Sequence, residues 1–146
     1  MNDCRSVFIT RHGGPDVLEL RTTSISDPIE EEVLVEIKYS GINFADIMSR
    51  MGLYTTRLKP PYRLGMEIAG VVSKSGSEKN RSMVGRAVVG FCRSGGYSSH
   101  VNVPAEQLFV IDDKWLNVAA AIPVNYLTAY FMMIHQGSSR KDETIL

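Results

Sequence analysis

The sequence predicts a mainly β domain that ends in a helical tail. Three features lead there. About seven short runs rich in valine, isoleucine and aromatic residues are each closed by glycine or proline. No strand-length run alternates regularly with a helix-length one, so a parallel βαβ architecture is a poor fit and a barrel or sandwich a better one. The stretch from Asn117 to His135 is rich in alanine, methionine and aromatics, with Pro123 as its only proline.

The elements follow in order. Val7 to Thr10 is a β-rich run stopped by the turn His12-Gly13-Gly14-Pro15. Val17 to Arg21 alternates apolar and polar residues, which predicts a half-buried strand, and Asp27-Pro28 marks the loop after it. Glu32 to Tyr39 alternates again, with Val33, Val35, Ile37 and Tyr39 on one face, and Gly41 breaks it. Asn43 to Gly52 has helical spacing: Phe44, Ile47, Met48 and Met51 share one side, and Gly52 suits the C-terminal cap. Lys59-Pro60-Pro61-Tyr62 must be an extended loop. Ile68 to Ser73 and Val84 to Cys92 are strands separated by a polar turn over Ser75 to Ser82. Gly95-Gly96 turns the chain into a strand from Tyr97 to Val103, and Leu108 to Ile111 is short and apolar. Two helices close the chain, Asn117 to Ala121 and Tyr126 to His135, broken by Ile122-Pro123; the spacing assigns Phe131, Met132 and Met133 to core packing.

Bulk properties exclude several classes. The 146 residues fit one ordinary domain. Hydrophobic residues make up 44% and charged residues 22%, which is average for a globular chain. Sixteen basic residues balance sixteen acidic ones, so there is no field to attract nucleic acid or an anionic membrane. Cys4 and Cys92 are too few for a disulfide framework or a cysteine-built zinc site. No apolar run approaches the roughly 18 residues of a transmembrane helix. A cytoplasmic protein is the default expectation.

Three segments carry a resemblance. They are Gly41-Ile42-Asn43-Phe44-Ala45-Asp46 with Arg50-Met51-Gly52-Leu53-Tyr54; Pro60-Pro61-Tyr62-Arg63-Leu64-Gly65-Met66-Glu67-Ile68-Ala69-Gly70; and Gly95-Gly96-Tyr97 through Val103-Pro104, followed by Ala119-Ala120-Ala121 and Asn125-Tyr126-Leu127-Thr128-Ala129-Tyr130. Their order and spacing resemble the medium-chain dehydrogenase/reductase superfamily, in its zinc-independent quinone oxidoreductase branch and close to the synaptic vesicle amine transport protein homologues. The resemblance implies a GroES-like, partly open β-barrel over residues 1–125. Residues 126–146 would then be a helix and the first strand leading into a Rossmann domain. The sequence holds no Gly-x-Gly-x-x-Gly fingerprint for that domain, and Ile145-Leu146 reads as the start of its first strand. A fragment lacking the Rossmann domain, inactive alone, is therefore expected.

Zinc members of the superfamily place a cysteine and a histidine where Asn43 and Met66 stand here. An amide and a thioether are poor zinc ligands, and Glu67 alone does not make a site. His12, His100 and His135 share no ligand spacing. No metal is expected.

Without metal, a hydride from NADPH must go to an acceptor that is already electrophilic, a quinone or an α,β-unsaturated carbonyl. Tyr54 is the candidate catalytic donor to the developing oxyanion; the alternative is a tyrosine packing a loop. The resemblance points Asn43 at the nicotinamide and its ribose, while Asn also makes a good helix N-cap. Asp46 is either support for that site or early-helix charge. Thr128 resembles the threonine that meets the nicotinamide amide, although a helical threonine can also bond its own backbone four residues back. Asn125 and Tyr126 shape the same face. Gly41, Gly65 and Gly70 read as backbone necessities. The parent is expected to be a homodimer that takes a small quinone or enone and no nucleic acid, with peripheral association with vesicle or organelle membranes open to it. Two alternatives stand beside this reading: a non-catalytic vesicle- or membrane-associated interaction protein of the same fold, and a zinc-type alcohol dehydrogenase.

Overall fold

The computed structural model describes residues 2–54 and 58–145. Two antiparallel sheets form its body. In the smaller one, β1 (Asn2–Ile9) lies between β2 (Leu18–Ile25) and the two-residue β4 (Tyr62–Arg63). The larger sheet runs in the order β7 (His100–Pro104), β3 (Glu32–Ser40), β5 (Glu67–Ser75), β6 (Ala87–Phe91), β8 (Leu108–Val110). Every strand pair among the described residues is antiparallel. The sheets meet where the backbone of Tyr97 and Ser99 bonds to Val7, Leu64 and Arg5. They do not close around, so the body is a partly open barrel.

Valine dominates the core because β-branched side chains pack well on a pleated surface. Val33, Val35, Ile68, Val72, Val88, Val101 and Val103 form the main cluster, joined by Cys92 and Leu108. Leu34, pointing the other way from β3, packs with Cys4 and Ile25. A helix α2 (Leu116–Ala119) caps a further cluster of Ala69, Val89, Ala119 and Ala120. Cys4 and Cys92 are both buried and unpaired.

Several expectations need correction. Tyr39 does not continue the buried face of Val33 and Val35: a register shift in β3 between Ile37 and Tyr39 turns it outward, and it is 47% exposed. The strand read from the alternation at Val17–Arg21 is not half-buried. Val17 lies in a 3-10 turn, and Leu18 and Leu20 point to solvent from an edge strand of the small sheet. Tyr62 joins a short strand instead of a loop. In the tail, α3 (Asn125–Tyr130) passes into π-helical turns over Phe131–Gln136. Phe131, Met132 and Met133 are exposed and not in the core, because the segment leaves the barrel after its first residues. Thr144 and Ile145 form no regular element, and Leu146 lies outside the described residues.

Truncating a side chain in the main cluster should leave a cavity, whereas an outward leucine has nothing to lose. Ile68→Ala is expected to lower the unfolding free energy by about 2–5 kcal/mol in urea titrations. Leu20→Ala should stay within about 0.5 kcal/mol of the parent.

Candidate functional site

The strand β3 leads through Gly41 into helix α1 (Phe44–Arg50), with Asn43 at the N-cap in an extended conformation. Asp46, at the third helical position, reaches back so that its Oδ2 accepts from the Asn43 backbone N–H at 2.9 Å, the returning arm of a capping box. At the other end Gly52 is left-handed (φ 76°), and the bonds Leu53 N–H to Met48 C=O and Gly52 N–H to Ser49 C=O make a Schellman motif.

The helix does not bury the apolar stripe that its spacing suggested. Phe44, Ile47 and Met51 are exposed, and the buried side chains are Asp46 and Ser49. Ser49 and one oxygen of Asp46 have partners that explain their burial, while Asp46 Oδ1 is buried with none. Ser49 Oγ lies 2.8 Å from Tyr62 Oη, which tethers β4. Asp46 Oδ2 also accepts from Tyr97 Oη at 2.8 Å. Burial pushes the Asp46 carboxyl above the ordinary carboxylate range, against the hydrogen bonds from Asn43 and Tyr97 that favour its charge. Burial, and then the neighbouring Asp46, raises the Tyr97 phenol, so it stays protonated as a donor. Burial pushes the Cys92 thiol up to about 12, which keeps it from acting as a thiolate.

The centre of the arrangement is Glu67, the first residue of β5, with 0% of its surface exposed. Its Oε1 accepts from Asn43 Nδ2 at 2.7 Å and its Oε2 from the Val124 backbone N–H at 2.8 Å. Asn125 Nδ2 in turn donates to Asn43 Oδ1 at 3.0 Å. Room for the carboxylate comes from Gly41: a Cβ there would sit 2.0 Å from Glu67 Oε1 and 2.6 Å from the Ala120 carbonyl oxygen. Gly65 is needed for a second reason, since its φ of 97° is left-handed and a Cβ would meet the Tyr97 backbone nitrogen at 2.5 Å.

Of the residues singled out from sequence, the fold therefore brings Asn43, Asp46 and Asn125 into one hydrogen-bonded chain. Asn43 is only 4% exposed, and Asn125 is its exposed end. Tyr54, just past α1, and Tyr126 and Thr128 on α3 are exposed, and no hydrogen bond among the described residues joins them to that chain. The Thr128 hydroxyl does not turn back to its own helix; only its backbone N–H bonds the Val124 carbonyl. Sequence reasoning missed Glu67 as the organiser and Tyr97 as the partner of Asp46. The available signal was a lone carboxylate between Met66 and Ile68 in an apolar strand, which needs donors wherever it is buried.

An amide and a carboxylate already engaged with each other, beside the thioether of Met66, offer no open ligand set to a metal. Among the described residues no three histidine, cysteine or acidic side chains are grouped to hold one. No helix among them is long and apolar enough to cross a membrane.

Comparison with known proteins agrees with this architecture. The family model for the alcohol dehydrogenase GroES-like domain matches residues 29–113. The synaptic vesicle membrane protein VAT-1 homolog of Danio rerio is 36% identical over 144 residues, covering 97% of this chain and 30% of that protein. A quinone oxidoreductase of Salmonella typhimurium is 38% identical over 139 residues, covering 93% of this chain and 42% of that protein. The crystal structure of Escherichia coli quinone oxidoreductase complexed with NADPH superposes with a TM-score of 0.82 at 37% identity, over 88% of this chain and 40% of that one. The chain thus spans well under half the length of the relatives it matches.

Two measurements test the site's construction. Gly41→Ala forces a methyl into the Glu67 carboxylate and is expected to cost at least about 1–3 kcal/mol of stability in denaturant titrations. The second uses pH. A carboxyl raised in the folded state binds its proton more tightly there than in the unfolded chain. Asp46 therefore favours folding in acid, and that contribution is lost as pH rises from the ordinary value near about 3.9 through the raised one. Asp46→Asn, whose Oδ1 can still accept both hydrogen bonds, should gain stability relative to the parent as pH rises through this window; a relative loss would contradict the assignment.

Proposed function

This chain belongs to the alcohol dehydrogenase GroES-like domain family, and on that premise we propose that it is the catalytic-type domain of a zinc-independent, NADPH-dependent reductase of quinones or α,β-unsaturated carbonyls. The observation that carries the reading is the Asn43–Glu67 hydrogen bond. At the positions where zinc members hold a cysteine and a histidine, this chain has an amide bonded to a buried carboxylate, and Met66. Relatives that include quinone oxidoreductases, one of them solved with NADPH, support the reaction class and the cofactor.

The residues present suit a nicotinamide. Asn125, Tyr126 and Thr128 stand exposed along the first turns of α3, with an unshared amide oxygen and a hydroxyl free of intrahelical bonding. NADPH, when bound, supplies the hydride. This chain's own part is to orient and to meet charge. Asn125 and Thr128 would hold the carboxamide, and Asn43 and Asp46 would support them from the buried side. Tyr54, exposed beyond the Schellman turn, would donate its phenolic proton toward the carbonyl oxygen of the acceptor, where charge builds as hydride reaches carbon. In this proposal residues 1–125 form the GroES-like domain and residues 126–146 lead toward a dinucleotide-binding domain.

A second reading, a non-catalytic interaction protein of the same fold, draws on the VAT-1 homologs among the relatives and on the exposed apolar residues of the tail. One assay separates the two. The protein that carries this domain together with a dinucleotide-binding domain is expected to oxidise NADPH in the presence of 1,4-naphthoquinone, without stoichiometric zinc. Tyr54→Phe should lower kcat by about 10- to 100-fold, within or below the usual range for a single proton donor. Background-level oxidation by the folded protein would favour the interaction reading.

A further inference from the structure

The three side chains Glu67, Asn43 and Asn125 form a relay whose direction is not arbitrary. As a carboxylate Glu67 has only acceptors. Its Oε2 is taken by the Val124 backbone N–H, a group that can only donate. Its Oε1 therefore requires a donor, and Asn43 must turn its Nδ2 inward, as it does at 2.7 Å. Asn43 Oδ1 then faces Asn125, which must present its own Nδ2, as it does at 3.0 Å. The Oδ1 of Asn125 is left over. Among the described residues it receives no hydrogen bond, and Asn125 is exposed.

From this geometry we infer that Glu67 is a positioning residue that sets which atom Asn125 offers to the ligand: an acceptor oxygen, suited to the N–H₂ of a primary carboxamide and unsuited to a carboxylate. The same carboxylate fixes the place of that atom, because Val124, which its other oxygen holds, immediately precedes Asn125. One buried group thus controls both where the recognition amide sits and which way it points. The inference rests on the proposed nicotinamide site for its ligand, but the relay itself does not.

The substitution Glu67→Gln makes the logic visible. The Val124 N–H still demands an oxygen, so the introduced glutamine must turn its N–H₂ to Asn43. Asn43 then flips, Asn125 flips after it, and Asn125 presents N–H₂ to solvent. Adding Asn43→Asp restores the original sense, since an aspartate there accepts both from that glutamine and from Asn125. Side-chain amide resonances of the ¹⁵N-labelled chain read this directly. The Asn125 N–H₂ pair is expected to be dispersed and slow to exchange in the parent, to collapse to solvent-like shifts with fast exchange in Glu67→Gln, and to recover in Glu67→Gln/Asn43→Asp. A merely structural role for Glu67 predicts no recovery. An Asn125 amide that is solvent-like in the parent, or unmoved by Glu67→Gln, would overturn the inference.

Asn125→Asp serves if the buried variants do not fold, because the substituted residue is exposed. Glu67 should hold the Asn43 amide unchanged there; an Asn43 amide that swings round to donate to the introduced carboxylate would overturn the inference equally. None of these readouts needs nucleotide. In the protein that also carries the dinucleotide-binding domain, Glu67→Gln should raise KM for NADPH more than it lowers kcat, and the double variant should reverse the rise. An intact amide pattern with no effect of NADPH on Asn125 would refute the cofactor reading and leave the relay standing.

Discussion

A carboxylate with no exposed surface has to be answered by donors, and Glu67 sits in this fold without a lysine or arginine ion pair among the described residues. Leaving such a group unpaired would cost several kcal/mol, so the surroundings are shaped to satisfy it. Two N–H groups do so, one from a side chain on the loop after β3 and one from the backbone just before α3. Gly41 makes the approach sterically possible. Three segments far apart in sequence are thereby held to one point, from which α1 and α3, the latter displaying Asn125 and Thr128, set out.

That constraint bears on chemistry as much as on stability. A metal site requires donors left free to converge on a common centre. Here the amide of Asn43 is spent on Glu67 and Asn125, and Asp46 on Asn43 and Tyr97. Apart from Asp46 Oδ1, which is buried without a partner, the polar groups answer one another, and the exposed end of the chain is Asn125. A site of that kind can align and discriminate. It has little with which to activate an inert alcohol.

The strands were legible in sequence because glycine and proline mark their ends and because valine-rich runs have few other uses. β5 and β6 fall where Ile68–Ser73 and Val84–Cys92 indicated, and Gly52 takes the left-handed cap position that its place after the helix implied. Faces were less legible. The apolar stripe of α1 pointed to burial of Phe44 and Ile47, yet the buried side carries Asp46 and Ser49, because the space beneath the helix is filled by polar partners from β4 and the Tyr97 segment. Asn43 and Asn125 stood out on the strength of the resemblance. Glu67 did not, since its value lies in contacts 24 and 57 residues away, which no local pattern encodes.

The tail follows from the same balance. A helical segment of about a dozen residues is marginal in water on its own, and most helices are held by packing of an apolar face. From Tyr126 to Ile134 the apolar side chains of this segment are exposed, and Leu127 lines one side of a groove whose other walls include Val89, Phe109, Ile111 and Trp115. Beyond its first residues no hydrogen bond among the described residues ties the segment to the sheets. Its attachment is therefore polar and lies at the root. The root, Val124 and Asn125, is the point at which Glu67 and Asn43 act. The carboxylate that holds the Asn43 amide is thus also the anchor of the tail at its first residues.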